Sequence, residues 1–269
     1  MYKYVPSEHD LYFNLMARIW RESNGNISMK NIVILTGAGI SAESGLGTFR
    51  DKDGIWTKYP LEDLATPEGF ARNPAFVHGF YNDRRAQLKT AKAHGGHLAI
   101  AKLEQAICGA GGAFTLVTQN VDNLHEQAGS SPENLIHMHG EFAKSRCSLC
   151  GGIALCDDAL SVETLCAACK QAGGMRPDVV WFGEMPLDMD RIDAAVAGCD
   201  VFVSIGTSGD VYPAAGYVQM AQHFGAWTVE LNLEPSSNAQ IFQAASYGLA
   251  SEIVPFWVDE FIAQHLSSD

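Results

Sequence analysis

Four cysteines fall into two pairs, Cys147-x2-Cys150 and Cys166-x2-Cys169, with fifteen residues between the pairs. That is the ligand spacing of a tetrahedral thiolate zinc site. Four thiolates complete the coordination sphere, so the ion they imply is structural. It replaces a hydrophobic core that so short a segment cannot build. Cys156 lies between the pairs and reads as a bystander, while Cys108 and Cys199 sit in apolar surroundings and read as core thiols. Three histidines, His125, His137 and His139, can each serve as a general base, because imidazole titrates near neutrality. Their spacing does not choose among them.

A glycine-rich turn, GAGISAESGLGTFR over residues 37–50, follows the apolar run NIVILT. Gly37, Gly39 and Ala42 fit the G-x-G-x-x-G/A pattern, in which glycines let backbone N–H groups approach a pyrophosphate. The chain then runs on through Ser44, Gly45 and Gly47 to Thr48, Phe49 and Arg50, which reads as a long loop over a ligand rather than a helix. Polar or small residues follow four further β-type runs: Gln119-Asn120-Val121-Asp122, His139-Gly140, Gly206-Thr207-Ser208 and Asn232-Leu233-Glu234. Open α/β sheets bind ligands at the carboxyl ends of their strands. Asn120 and Asp122 also suit the capping of a helix that starts near Asn123. Capping does not explain such residues at all four strand ends.

The elements needed to position these residues alternate. Residues 32–35, 113–117, 135–137, 178–182, 201–205 and 227–231 read as strands, and residues 8–22, 74–89, 96–108, 188–197, 213–224 and 255–265 as helices. This order predicts a parallel α/β sheet. Residues 141–177, rich in Cys and Gly with little periodicity, read as an insertion into it.

The chain has 269 residues, 47% of them hydrophobic and 18% charged, with a formal net charge of −13. This is the composition of a core-forming protein. The acidic balance argues against nucleic-acid backbone binding and suits basic protein segments. No secretory signal and no membrane-length apolar run is visible, so the expected location is the cytoplasm.

Together these motifs resemble the sirtuins, the NAD-dependent protein deacylases. The resemblance rests on GAGISAESG with TFR, TQNVDNLHEQAG, His139-Gly140, the paired CxxC, VVWFGE, GTSGDVYPAA and NLEP, in the family's order across nearly the whole chain. The match is closest to bacterial sirtuins of the CobB type. It implies a Rossmann-like domain from residues 1–44, 90–140 and 178–269. A smaller domain would join a helical module, residues 45–89, to a zinc ribbon, residues 141–177. NAD and one structural zinc ion are the implied cofactors, and acylated-lysine proteins the implied substrates. Oligomeric state is left open, with a monomer sufficient.

Carried over from the family, Gly37, Ala38, Gly39, Ser41, Ala42, Thr48, Arg50 and Trp56 would contact NAD, with Phe49 shielding the reacting ribose. So would Gly206, Thr207, Ser208, Asn232, Leu233, Glu234 and Ala250. Gln119, Asn120, Val121 and Asp122 would hold the ribose and nicotinamide, with Asn120 and Asp122 counted as catalytic beside the base, His139. Val180, Phe182, Gly183 and Val211 would meet the substrate peptide, partly as an added strand. Gly47 departs from the Arg or Pro often found there in the family. Tyr81 and Arg84, three apart in an expected helix, match the Tyr-x-x-Arg pair of sirtuins that accept malonyl- or succinyl-lysine. An arginine fork suits such a carboxylate. Mono-ADP-ribosyl transfer on the same fold is the competing reading, and a nonenzymatic NAD-sensing module a weaker one.

Overall fold

A computed structural model describes residues 30–48 and 60–266. The helix expected over residues 8–22, and Phe49, Arg50 and Trp56, lie outside the described residues.

Six strands form one fully parallel sheet: β1 (Asn31–Thr36), β2 (Ala113–Thr118), β3 (Leu135–His137), β7 (Val201–Ile205), β8 (Trp227–Asn232) and β9 (Ala244–Tyr247). Their spatial order is β3-β2-β1-β7-β8-β9. Strand order therefore reverses between β1 and β7, as in a doubly wound dinucleotide fold, and a crevice opens beyond their carboxyl ends. Both faces are covered, which is why the strands read as unbroken apolar runs. Along β1 the side chains alternate. Ile32 and Ile34 pack against Ile100, Leu103 and Ile107 of α5 (Gly95–Gly109) and Val254 and Trp257 of α9 (Ala250–His265). Val33 and Leu35 pack against Ile192 and Val196 of α7 (Met189–Ala197) and Tyr217 and Val218 of α8 (Tyr217–His223).

A second, three-stranded antiparallel sheet has the order β5-β4-β6, with β4 (Gly140–Cys147), β5 (Ile153–Leu155) and β6 (Met175–Val179). Cys147 ends β4, and the other three cysteines lie in the turns that connect the sheet's strands. Its core is shared with a helical group, α2 (Leu61–Leu64), α3 (Pro67–Arg72) and α4 (Pro74–Leu88). Leu64, Val77 and Tyr81 pack on Phe142, Val179 and Trp181. Hydrogen bonds add to this packing. Asn82 on α4 accepts from the Leu160 N–H and donates to the Leu160 carbonyl, both at 2.9 Å. Arg85 Nε donates to the Phe142 carbonyl at 2.8 Å.

Several expectations change. The glycine turn does contain a helix, α1 (Ala38–Ala42), though it is only five residues long and gives way to turns at Glu43. The strand expected over residues 178–182 ends at Val179, with Trp181 already in a turn. Pro255 lies inside α9 rather than at its start, because α9 begins at Ala250. Cys199 is buried as expected, but Cys108 is exposed, on the outer side of α5.

Candidate active site

The crevice is built by two interlocked turns. Gly37 N–H donates to the Ile205 carbonyl at 3.0 Å and Gly39 N–H to the Gly206 carbonyl at 2.9 Å. A Cβ on Gly37 would lie 2.7 Å from Gly206 O, and one on Gly39 2.7 Å from Gly206 Cα. Gly206 has φ +64°, and its own Cβ would lie 2.4 Å from Ile40 N. The glycines of the fingerprint thus serve the contact between the tips of β1 and β7, a demand the sequence pattern alone assigned to pyrophosphate.

The loop after β2 is tied into this turn. Asn120 Nδ2 donates to the Gly37 carbonyl at 2.9 Å and to Ser41 Oγ at 3.0 Å. Ser41 Oγ donates to Asp122 Oδ2 at 2.8 Å, and Asp122 Oδ1 accepts from Leu124 N–H, the first residue of α6 (Leu124–Gln127). Asp122, one residue before the Asn123 N-cap, therefore ties down the start of α6 and is part of the cleft at once. Burial raises its pKa, against the lowering effect of its bonds from Leu124 and Ser41. A cavity of about 40 Å3 opens here, walled by Ala38, Ser41, Leu46, Gly47, Arg84, Leu88, Asn120, Val121, Asp122 and Phe142. Among the described residues, nothing lies within 4 Å of where a Gly47 Cβ would stand.

Geometry separates the three histidines. His125 is 1% exposed, its Nε2 3.0 Å from Thr36 Oγ1, and burial holds it well below the usual imidazole range. It is a core residue. His137 Nε2 faces Glu126 Oε1 at 3.0 Å. Burial lowers its pKa, but the Glu126 bond and the charges of Glu126 and Glu141 outweigh this and raise it. His139 is half-buried, with Nδ1 3.1 Å from the Gln119 carbonyl. Burial lowers its pKa, only partly offset by that bond. Its Nδ1–H donates to Gln119, which leaves Nε2 as the basic nitrogen of a neutral ring. His139 does not wall the 40 Å3 cavity but is anchored to the residue before Asn120. Gly140, directly after it, has φ +81°, and a Cβ there would lie 2.0 Å from Asp178 O, so only glycine joins His139 to β4.

Other expected site residues take these positions. Asn232 Nδ2 donates to the Thr207 carbonyl at 2.8 Å, Asn232 Oδ1 accepts from Leu233 N–H, and Ser208 O accepts from Ser237 N–H. Leu233 and Glu234 are exposed. Ala250 opens α9, and its carbonyl lies 2.9 Å from where a Gly96 Cβ would stand. Ala42 closes α1, and Thr48 is half-buried just beyond the turn. Val211 lies beside Gln119 and Thr207 in a separate small hollow. Val180 N–H donates to the His139 carbonyl at 2.8 Å, and Phe182 N–H to Ala65 O at 2.9 Å. The Phe182 ring is 39% exposed, and Gly183 has φ +90°. Arg84 walls the cavity, whereas Tyr81 is 6% exposed, its hydroxyl accepting from Trp181 Nε1 at 2.9 Å. The two residues share a helix face but not a surface.

The four cysteines form one cluster, all Sγ atoms within 4.8 Å of one another, with Cys147–Cys169 at 3.8 Å and Cys150–Cys166 at 3.7 Å. Thiolates about 2.3 Å from a tetrahedral ion stand about 3.8 Å apart, so the sulfurs fit zinc. Cys156 instead donates to the Asp158 carbonyl and is not part of the cluster.

Sequence reasoning did not find the Ser41–Asp122 bond. Nor did it find the Gly206 contact, although the left-handed demand of a glycine ending a strand was a signal for the latter.

A crevice at a strand-order reversal, lined by glycine turns and the buried Asn120 amide, defines a nucleotide-binding α/β protein. The Sir2 family profile matches residues 37–213. An NAD-dependent protein deacylase of Caulobacter vibrioides is 56% identical over 233 residues, 87% of this chain and 97% of that protein. One of Salmonella typhimurium is 54% identical over 233 residues, 86% of this chain and 84% of that protein. A Sir2 homologue solved with ADP-ribose superposes with a TM-score of 0.82 at 34% identity, covering 94% of this chain and 99% of that one. A Sir2 homologue–NAD complex gives 0.79 at 35% identity, covering 93% and 95%. The chain belongs to the Sir2 family.

Proposed function

We propose that this protein is an NAD-dependent protein-lysine deacylase that acts on acetyl-lysine and on acidic acyl-lysines such as succinyl- and malonyl-lysine. The observation that carries the reading is the neutral His139, anchored by Gln119 beside the buried Asn120–Ser41–Asp122 knot. The crevice beyond the carboxyl ends of β1 and β7, where strand order reverses, suits a dinucleotide. When bound, NAD supplies the ADP-ribose electrophile that accepts the acyl group as nicotinamide leaves.

His139 Nε2 takes a proton from a ribose hydroxyl, which its low pKa permits at neutral pH. Asn120 and Asp122 orient the ribose and the nicotinamide amide from a floor already fixed by hydrogen bonds. The backbone near Val180 and Gly183 receives the peptide, and the exposed Phe182 ring walls the lysine's path. Arg84 offers its guanidinium to an acyl carboxylate in the cavity, with Tyr81 fixed behind it. The four cysteines would hold one zinc ion, which would order the turns of the three-stranded sheet.

Residues 1–44, 90–140 and 178–269 form the nucleotide-binding unit of this proposal, and residues 45–89 with 141–177 the smaller one. No described helix is long and apolar enough to cross a membrane. The proposed location is the cytoplasm, where free thiols such as these are kept reduced. One chain supplies every residue the reading uses.

The test is incubation with NAD and acetylated, succinylated or malonylated peptides while nicotinamide release and peptide mass are followed. Coupled nicotinamide release and deacylation support the proposal. Transfer of ADP-ribose to protein without acyl loss replaces it with mono-ADP-ribosyl transfer, and no turnover on any peptide overturns it.

A further inference from the structure

Behind the Asn120 loop, three side chains from three elements converge. Glu126 of α6, His137 of β3 and Glu141 of β4 place their ligand atoms within 4.8 Å of one another. None of them has a part in the proposed deacylation, and none belongs to the cysteine cluster. The imidazole has a defined orientation. Its Nδ1 lies 3.3 Å from the Asn120 carbonyl, which fixes Nδ1–H as a donor and turns Nε2 toward Glu126 Oε1, 3.0 Å away. An imidazole held from behind by a backbone carbonyl is the usual arrangement of a metal-ligating histidine.

The distances suit an ion. Nitrogen and oxygen ligands at about 2.0–2.2 Å from a metal stand about 3.0–3.5 Å apart. His137 Nε2 and Glu126 Oε1 already have that separation. Among the described residues nothing hydrogen-bonds the buried Glu126 Oε2, a costly state for a carboxylate oxygen that a cation would relieve. The Glu126 side chain is still 34% exposed, so an ion has access. Glu141 also walls a neighbouring cavity of about 110 Å3, which Glu126 and His137 do not line, so solvent reaches the cluster from the Glu141 side. Two cations already compete: Lys144 Nζ pairs with Glu141 Oε1, and the proton by which His137 Nε2 bonds Glu126 is released to solvent when that nitrogen takes a metal.

We propose that Glu126, His137 and Glu141 form a second divalent-metal site, distinct from the four cysteines, that takes zinc or a similar first-row ion through one imidazole nitrogen and two carboxylate oxygens, with water completing the shell. One nitrogen and two hard oxygens suit Zn2+ or Co2+ better than Ca2+, which prefers an all-oxygen shell. The proposal stands whether or not the chain removes acyl groups.

The test uses tag-free full-length protein with its cysteine site loaded with zinc. Zn2+ is titrated calorimetrically, and Co2+ is titrated with visible spectra recorded. One further equivalent should bind, its cobalt spectrum showing ligand-field bands without thiolate charge transfer. Glu141→Gln should weaken that equivalent at least tenfold, and Glu126→Gln with Glu141→Gln should abolish it. Lys144→Met should tighten it. Circular dichroism and retention of the first zinc check that each variant is folded. Saturation at a single zinc per chain overturns the proposal, as does a further ion whose affinity these substitutions leave unchanged.

Discussion

Ser41 Oγ and Asp122 Oδ2 are joined by a 2.8 Å hydrogen bond that spans 81 positions of sequence, and both residues are buried. This bond fastens the turn after β1 to the turn after β2. Ser41→Ala removes a donor from a buried carboxylate whose pKa is already raised. A loss of about 1–3 kcal/mol is expected, because the unpaired oxygen bears its desolvation cost. Urea unfolding measures the stability loss. The Michaelis constant for NAD should rise as well, and an unchanged constant would separate this bond from the cofactor.

His139→Ala should reduce deacylation by two orders of magnitude or more while NAD still binds. In the unsubstituted protein the rate should depend on a neutral imidazole. Burial holds its pKa below 6.5, so kcat/KM should be level at neutral pH and fall only on the acid side of 6.5. A limb centred above pH 7 would point to another base.

Arg84→Met should cut desuccinylation at least tenfold more than deacetylation, since only the acidic acyl group needs the guanidinium. Parallel assays of kcat/KM on matched acetyl and succinyl peptides decide this. Equal losses on the two would give Arg84 a structural part only.

Acid should destabilise the fold well before the carboxylates titrate. Burial depresses His78, His125 and His97, the last to about 3. The unfolded chain takes up these protons near pH 6.5 and the folded chain does not. Stability therefore falls as pH drops below 6.5, and each group contributes up to about 1.4 kcal/mol per pH unit. His137 is raised and opposes this: the stability it adds is complete below 6.5 and is lost as pH rises through its folded value. The net effect expected between pH 7 and 5.5 is a loss of more than about 1 kcal/mol. Urea unfolding at pH 7.5, 6.5 and 5.5 should show it, and a flat profile would contradict the account.

Chelation of the cysteine-bound zinc should lower the melting temperature and expose the core under the three-stranded sheet, as structural zinc supplies folding energy outright. Cys147→Ser should do the same. Calorimetry with and without a chelator tests this, and the six-stranded sheet is expected to persist longer than the zinc module.

The parallel sheet was legible because its strands, covered on both faces, are unbroken apolar runs such as NIVILT. Strand β9, AASY, was not, since it is short, small-residue and at the sheet's edge. Strands β4 and β5 were hidden because zinc and turns rather than periodic burial organise them. In the site, residue types at strand tips were readable, whereas contacts were not. Nothing in the spacing tells that Gly206 fits against Gly39, or that His125 sinks into the core while His139 stays half-buried. Such facts arise only when distant segments meet.

Asn82 and Arg85 flank Arg84 on α4, and both grip the zinc module, at Leu160 and at Phe142. In the proposed reading, the helix that would offer a cation to the acyl group is therefore moored to a platform that a metal on the four cysteines would assemble. Scarcity of zinc would then do more than reduce the number of working molecules: those that remain would be expected to lose their taste for acidic modifications first, and nutrient supply would become an influence on which chemical marks are erased.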